Sequence, residues 1–309
     1  MTFLHKEGVN ILREYGHHRS FRMFALGNEL WGSIEKMAEF VEDFRRLAPD
    51  KLYTYGSNYY LGYRPPEKKD SVLPDFFVTC RVGGEGWGHY GTHTRGSFSF
   101  ADAADGGMIN HFRPNASMNF AEGCALSPVP VISHETAQFQ TYPDYGEIGK
   151  YTGVLRPCNM EVFRKRLEAA GMGHQARAFH RASGRWSYLL YKQDIEMDLR
   201  TPNMAGFQLL DLQDYPGQGS AYVGILDAFM DSKHSCTVDE WRQFCSPVVP
   251  LLVADAYCFT TDEDIHGKIQ LANYSGGSLN GQRLQWECGG KKGELTIPDG
   301  EGLLDVGPL

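Results

Sequence analysis

Residues 24–31 read Phe-Ala-Leu-Gly-Asn-Glu-Leu-Trp, an apolar run that stops at a glycine and continues into polar and aromatic side chains. A short, nearly continuous apolar run is typical of a buried parallel strand. Polar residues directly after such a strand lie at its carboxyl end, where parallel α/β barrels carry their catalytic groups. The stretch therefore predicts a strand over residues 22–26 with Asn28 and Glu29 at its mouth. A solvated loop or a helix N-cap would explain the Asn-Glu pair equally well.

The same pattern recurs at residues 129–136, Val-Pro-Val-Ile-Ser-His-Glu-Thr, where an apolar run again ends in a carboxylate. Further buried strands are predicted at residues 52–55, 76–82 and 207–212, and amphipathic helices at residues 3–15, 34–47, 160–170 and 186–197. Strands that alternate with helices indicate a βαβ architecture. In a barrel the strand ends converge on one mouth, so Glu29 and Glu135 can meet there. The alternative for His134 and Glu135 is a buried pair that only holds a loop.

The character of the sequence changes near residue 250. Alternating segments at residues 268–272 and 283–287, with glycine turns after each, predict antiparallel β structure. We therefore expect an α/β domain over residues 1–250 and the start of an all-β sandwich over residues 251–309. Before that boundary, the polar residues after the last parallel strand suit recognition of hydroxyl groups, although an ordinary strand-to-helix loop would look the same.

Charge and composition exclude several classes of function. The chain has 309 residues, with 30 Lys and Arg against 38 Asp and Glu, a formal net charge of −8. An acidic balance argues against nucleic acid and anionic lipid as partners. No apolar run is long enough for a transmembrane helix, and the histidines lack a zinc-binding spacing, so we expect no membrane contact, no metal and no cofactor. The compartment stays open, with a bacterial periplasm or cytoplasm expected.

Several segments in this order resemble glycoside hydrolase family 2, the group of β-galactosidases, β-glucuronidases and β-mannosidases. The segments that carry the resemblance are residues 27–31, 133–138, 142–145, 206–219 and 223–233. The resemblance implies an α/β fold, a partial (β/α)8 TIM barrel comprising strands four to eight, followed by the start of an immunoglobulin-like sandwich. Because five strands cannot close an eight-stranded barrel, the chain is expected to be a fragment of a longer enzyme.

The resemblance also implies a role for each carboxylate. Glu29 matches the acid/base at the end of barrel strand four, and Glu135 matches the nucleophile at the end of strand seven. Asn28 matches the residue that binds the sugar 2-hydroxyl. Other expected contributors to substrate binding are Trp31, Asn58, His93, His134, Gln138 and Asp214.

The expected function is therefore that of a retaining, exo-acting β-glycosidase. It would hydrolyse terminal β-linked sugars through a glycosyl–enzyme intermediate, with a β-galactoside as the first expectation for the carbohydrate partner. One alternative is a different sugar, a β-mannoside, β-glucuronide or arabinoside. Another is a non-catalytic carbohydrate-binding protein or an inactive barrel fragment. The sequence leaves the oligomeric state open.

Overall fold

A computed structural model describes residues 2–30, 32–57, 72–80, 113–215 and 218–309. The helices are α1 (Thr2–Tyr15), α2 (Ile34–Leu47), α3 (Ala121–Cys124), α4 (Cys158–Ala169), α5 (Ala176–Leu199) and α6 (Val238–Arg242), with 3-10 turns at Tyr145–Lys150 and Gly173–Gln175. The strands are β1 (Met23–Ala25), β2 (Leu52–Thr54), β3 (Phe77–Thr79), β4 (Val131–Ala137), β5 (Met204–Leu210), β6 (Val248–Ala254), β7 (Gly267–Asn273), β8 (Arg283–Cys288), β9 (Lys291–Thr296) and β10 (Gly302–Pro308).

The first two helices pack closely because one of them has a glycine at the contact. A Cβ added to Gly8 of α1 would lie 2.2 Å from the ring of Phe44. Phe44 and Val41 of α2 are buried, as is Leu12 of α1. Ser33 caps α2 by accepting a hydrogen bond from the backbone of its first turn, which satisfies an N–H that the helix itself cannot pair.

The five parallel strands form two sheets, and the strands of each sheet follow one another in chain order. The strand β1 pairs with β2, and β3, β4 and β5 form a second sheet in that order. The chain before β3 is tied to β2 because Asp75 donates its backbone N–H to Tyr53 O at 2.8 Å and accepts from Tyr53 N–H through its side chain at 2.7 Å. Both parallel sheets are open within the part of the chain that the structure describes. The predicted barrel therefore stays a prediction.

The pairing of β4 with β5 contains two irregularities. One extra residue of β5, Ala205, lies between the partners of Val131 and Ile132. Farther along, two residues of β4, His134 and Glu135, lie between Ser133 and Thr136, whereas β5 has one residue between the partners of Ser133 and Thr136. Strand β4 therefore carries one extra residue at this point. Such β-bulges are rare in parallel pairs and locally redirect side chains.

The main core forms between the second parallel sheet and the long helix α5. Tyr191 and Ile195 of α5 are fully buried, together with Phe244 and Val131. This helix precedes β5 and covers one side of β4 and β5, as expected for a βαβ crossover. The same hydrophobic cluster includes Val249 of β6, so the antiparallel region shares a core with the α/β region.

The antiparallel region begins earlier than the predicted domain boundary. Strand β6 runs through the boundary expected at residue 250, and it pairs with β7, which also pairs with β10. Strands β8 and β9 form a hairpin whose turn residues, Gly289 and Gly290, have φ values of 55° and 78°. Glycine is favoured there because both central residues of such a turn need positive φ. No helix within the described residues has both the length and the apolar character needed to cross a bilayer.

Candidate active site

Asn28 and Glu29 lie at the carboxyl end of β1, as the sequence predicts. The backbone continues past β1 in parallel contact with the chain past β2, because Ser57 N–H donates to Gly27 O and Glu29 N–H donates to Ser57 O, both at 2.8 Å. The approach is close enough that a Cβ on Gly56 would lie 3.1 Å from Gly27 O. These bonds fix the backbone of the Asn-Glu pair to two strands, whereas both side chains stay exposed.

Glu135 lies in β4 beside its bulge, again at the carboxyl end of a parallel strand. The flanking Ser133 and Thr136 are fully buried and hydrogen-bond to each other, while His134 and Glu135 keep 15% and 12% of their side chains exposed. The bulge therefore turns two successive polar residues away from the core. Their exposure leaves both side chains able to reach a ligand.

Both predicted catalytic glutamates have unusual backbone conformations. Glu29 has φ of 50° and Glu135 has φ of 53°, and Gln138, another predicted site residue, has φ of 55°. Residues other than glycine seldom adopt the left-handed region, which costs free energy, and such residues cluster at functional sites. Three of the seven non-glycine residues with positive φ in the described ranges are thus predicted site residues. This signal is independent of the sequence patterns that first selected them.

His134 connects three strand ends. Its Nε2 atom lies 3.0 Å from Asn28 Oδ1, and its Nδ1 atom lies 2.8 Å from Gln208 Oε1 on β5. Its Nε2 atom is 3.9 Å from Glu135 Oε1, which is charge proximity rather than a hydrogen bond. The structure therefore brings Asn28, His134 and Glu135 together, and adds Gln208, which sequence reasoning missed. The available signal was a polar residue in an otherwise apolar strand.

Asp214 has a different environment from this group. Its Oδ1 atom accepts a 2.7 Å hydrogen bond from Lys233 Nζ and a 2.9 Å bond from Gly224 N–H. Both members of the ion pair are buried, with 4% of each side chain exposed. Burial raises the pKa of Asp214 and lowers the pKa of Lys233, although their mutual attraction acts in the opposite sense on each. The Lys233 contact carries no sequence signal that we can identify.

A cavity of about 840 Å³ lies beside this pair, between the turn Tyr145–Lys150, the start of α5 and residues 227–234. Its wall includes Glu147, which is buried and accepts a 3.1 Å hydrogen bond from the Tyr151 hydroxyl. Burial, reinforced by the nearby carboxylate of Asp227, raises the pKa of Glu147 to about 7. The cavity thus contains a carboxyl group that changes protonation near neutral pH.

Trp31, Asn58 and His93 fall outside the described residues. Gln138 is half-buried directly after β4. Within the described ranges, no three His, Cys, Asp or Glu side chains come together as a metal site would require.

No protein-family model and no curated protein matches this sequence. Functional interpretation therefore depends on the residues of the chain and on their geometry.

Proposed function

We propose that this chain carries the catalytic residues of a retaining β-glycosidase of the glycoside hydrolase family 2 type, with a terminal β-galactoside as the first expected substrate. The observation that carries the proposal is the position of His134 Nε2, which lies 3.0 Å from Asn28 Oδ1 and 3.9 Å from Glu135 Oε1. The contact between His134 and Asn28 joins the ends of β1 and β4, and each predicted catalytic glutamate directly follows one of these two residues.

The proposed reaction needs two carboxyl groups on opposite sides of the scissile bond. Glu135 attacks the anomeric carbon while Glu29 protonates the leaving oxygen, which gives a glycosyl–enzyme ester and a free aglycone. Glu29 then removes a proton from water, and the resulting attack releases the sugar from Glu135 with its original configuration. A separation of about 5–5.5 Å between the carboxyl groups is expected for this retaining route.

The environments of the two groups fit these roles. Glu135 has limited exposure and lies near the imidazole of His134, which suits a nucleophile shielded from bulk water. Glu29 is exposed at the edge of β1, where a leaving group and then a water molecule can reach it. Asn28 is proposed to bind the sugar 2-hydroxyl, an interaction that strengthens in the transition state of glycoside hydrolysis.

Trapping with 2-fluoro glycosides tests the proposal. Dinitrophenyl 2-deoxy-2-fluoro glycosides of galactose, mannose, glucuronic acid and arabinose are incubated with the protein, and the labelled peptide is mapped by mass spectrometry. We expect one sugar to label Glu135. Labelling of another residue would contradict the nucleophile assignment, and no labelling by any sugar would favour a non-catalytic carbohydrate-binding protein or an inactive fragment.

Amide variants separate the two roles. Glu135→Gln should abolish both labelling and turnover. Glu29→Gln should lower the turnover of poorly activated glycosides by about 10²–10⁴-fold, yet still allow labelling by the dinitrophenyl reagent, whose leaving group needs no acid. Glu287→Gln is the matched control, since Glu287 is exposed and pairs with Lys292 on the surface hairpin. Equal effects of all three substitutions would contradict the site.

A further inference from the structure

The side chain of Gln208 takes no part in the pairing of β5 with β4. Its backbone belongs to β5, and strand pairing uses only backbone groups. The side chain is exposed, and its amide oxygen lies 2.8 Å from His134 Nδ1. A glutamine in this position therefore acts on the ring of His134 rather than on the core.

The side-chain amide oxygens of Gln208 and Asn28 cannot both accept a hydrogen bond from His134 when its imidazole ring is neutral. A neutral imidazole has one N–H donor and one acceptor nitrogen. The shorter contact is that of Nδ1 with Gln208, and a carbonyl oxygen that accepts from Nδ1–H is a common way to fix the tautomer. Nε2 is then the acceptor, and the Asn28 amide rotates by half a turn to donate its NH2 group.

That arrangement determines which atom Asn28 presents to a ligand. With its NH2 group held by His134 Nε2, the Asn28 oxygen is left to accept a hydrogen bond from a hydroxyl group. Glu135 does not replace Asn28 as the hydrogen-bonding partner of His134 Nε2, because its nearest oxygen is 3.9 Å from Nε2, beyond hydrogen-bonding distance. The orientation of Asn28 is thus set from β5, two strand ends away.

We propose that Gln208 is a positioning residue that acts through His134 on Asn28 and so controls recognition of the sugar 2-hydroxyl. The inference rests on the proposed glycosidase function and goes beyond it by assigning a residue on β5 to substrate discrimination. Gln208 itself does not touch the reacting atoms.

The kinetic test compares substrates with and without the 2-hydroxyl. Gln208→Met keeps the length of the side chain but cannot hydrogen-bond to Nδ1, and Gln208→Glu keeps an acceptor. For the aryl β-glycoside that the wild-type protein hydrolyses, Gln208→Met should lower kcat roughly tenfold with little change in KM, the scale of one lost hydrogen bond. For the 2-deoxy analogue the loss should be less than about threefold. Gln208→Glu should recover most of the lost activity.

The controls make each outcome decisive. Gln270→Met removes a glutamine whose amide donates to Asp305 on the surface of the antiparallel sheet, and it should change neither substrate. Equal losses by Gln208→Met on both substrates, or no loss on either, would overturn the proposal. Failure of Gln208→Glu to exceed Gln208→Met would overturn the acceptor role.

A second measurement does not depend on activity. In protein labelled with 15N-histidine, the His134 ring resonances, assigned with a His134→Phe variant, should show the proton on Nδ1. That preference should disappear in Gln208→Met and persist in Gln270→Met. A protonated Nε2 with a bare Nδ1 would overturn the proposal. If the wild-type protein is inactive but the Nδ1 proton is observed, the enzyme assignment fails while the link between Gln208 and His134 stands.

Discussion

Lys233→Met should destabilise the protein by an amount that depends strongly on pH. Lys233 Nζ donates to Asp214 Oδ1 at 2.7 Å, to Gly224 O at 2.9 Å and to Tyr222 O at 3.3 Å. Methionine fills a similar volume but supplies no donor, so the Asp214 carboxylate would stay buried and, among the described residues, would keep the Gly224 N–H as its partner. Removing one partner of a buried pair typically costs about 3–5 kcal/mol.

Protonation of Asp214 sets an upper limit on the part of this loss that comes from the unpaired charge. Neutralising an aspartate with an unfolded-state pKa near 3.9 costs roughly 1.4 kcal/mol per pH unit above that value. The limit is therefore about 4 kcal/mol at pH 7 and about 1.5 kcal/mol at pH 5. In the variant the folded state binds the Asp214 proton more tightly than the unfolded state, so its stability relative to wild type falls as pH rises from 5 to 7.

Urea unfolding at pH 5, 6 and 7, followed by circular dichroism, measures this difference. The double variant Asp214→Asn/Lys233→Met should recover about 2 kcal/mol at pH 7, because its buried amide has no charge to desolvate, and its deficit should vary less with pH than that of Lys233→Met. Lys268→Met is the matched control: its partner Asp305 is exposed, and an exposed pair is worth about 1 kcal/mol at most. A pH-independent loss, or a loss equal to that of Lys268→Met, would refute the reasoning.

Three further substitutions test other parts of the structure. Glu147→Gln should leave stability unchanged at pH 5 but raise it by about 1–3 kcal/mol at pH 8. The reason is that the wild-type carboxyl, with its pKa raised to about 7, gives up stability as pH rises through that value. If urea unfolding shows the same difference between variant and wild type at both pH values, the reasoning is wrong. Gly8→Ala should destabilise by about 1–3 kcal/mol, because the new methyl group would overlap the Phe44 ring, and a thermal midpoint equal to wild type would contradict that contact. Thr237→Ala should lower the free energy of unfolding by about 1 kcal/mol, because it removes the N-terminal cap of α6. Thr260→Ala, which lies outside any helix, is the control and should show a smaller change in urea unfolding.

The positions of the strands and of the two glutamates could be read from the sequence because they depend on local pattern. Apolar runs that end at polar residues predict both a buried strand and the point where its side chains emerge, and this is where Glu29 and Glu135 lie. The positive φ values of both residues were not readable, because backbone conformation at a strand end depends on the neighbouring strand. Whether the strands belong to a closed barrel is still a prediction.

Other features depend on contacts between distant parts of the chain. Lys233 reaches Asp214 only because the intervening loop folds back, and nothing in the residues between them predicts the pairing. The change of sequence pattern near residue 250 predicts a boundary between domains, whereas the structure has a continuous strand there, β6, which contains Pro250. That strand is at the edge of its sheet, where a residue without an N–H donor is tolerated.

The irregularities of β4 and β5 have a consequence for how this sheet can change. Successive side chains along a strand point to opposite faces of the sheet, so one added residue moves every side chain that follows it to the other face. The addition at Ala205 of β5 offsets the addition at His134 and Glu135 of β4, and the two strands return to their original alignment before Ala137 meets Leu210. Deleting either extra residue alone would shift the phase of the strand end and exchange buried for exposed side chains. The two insertions form a compensating pair, and β4 and β5 can lose them only together.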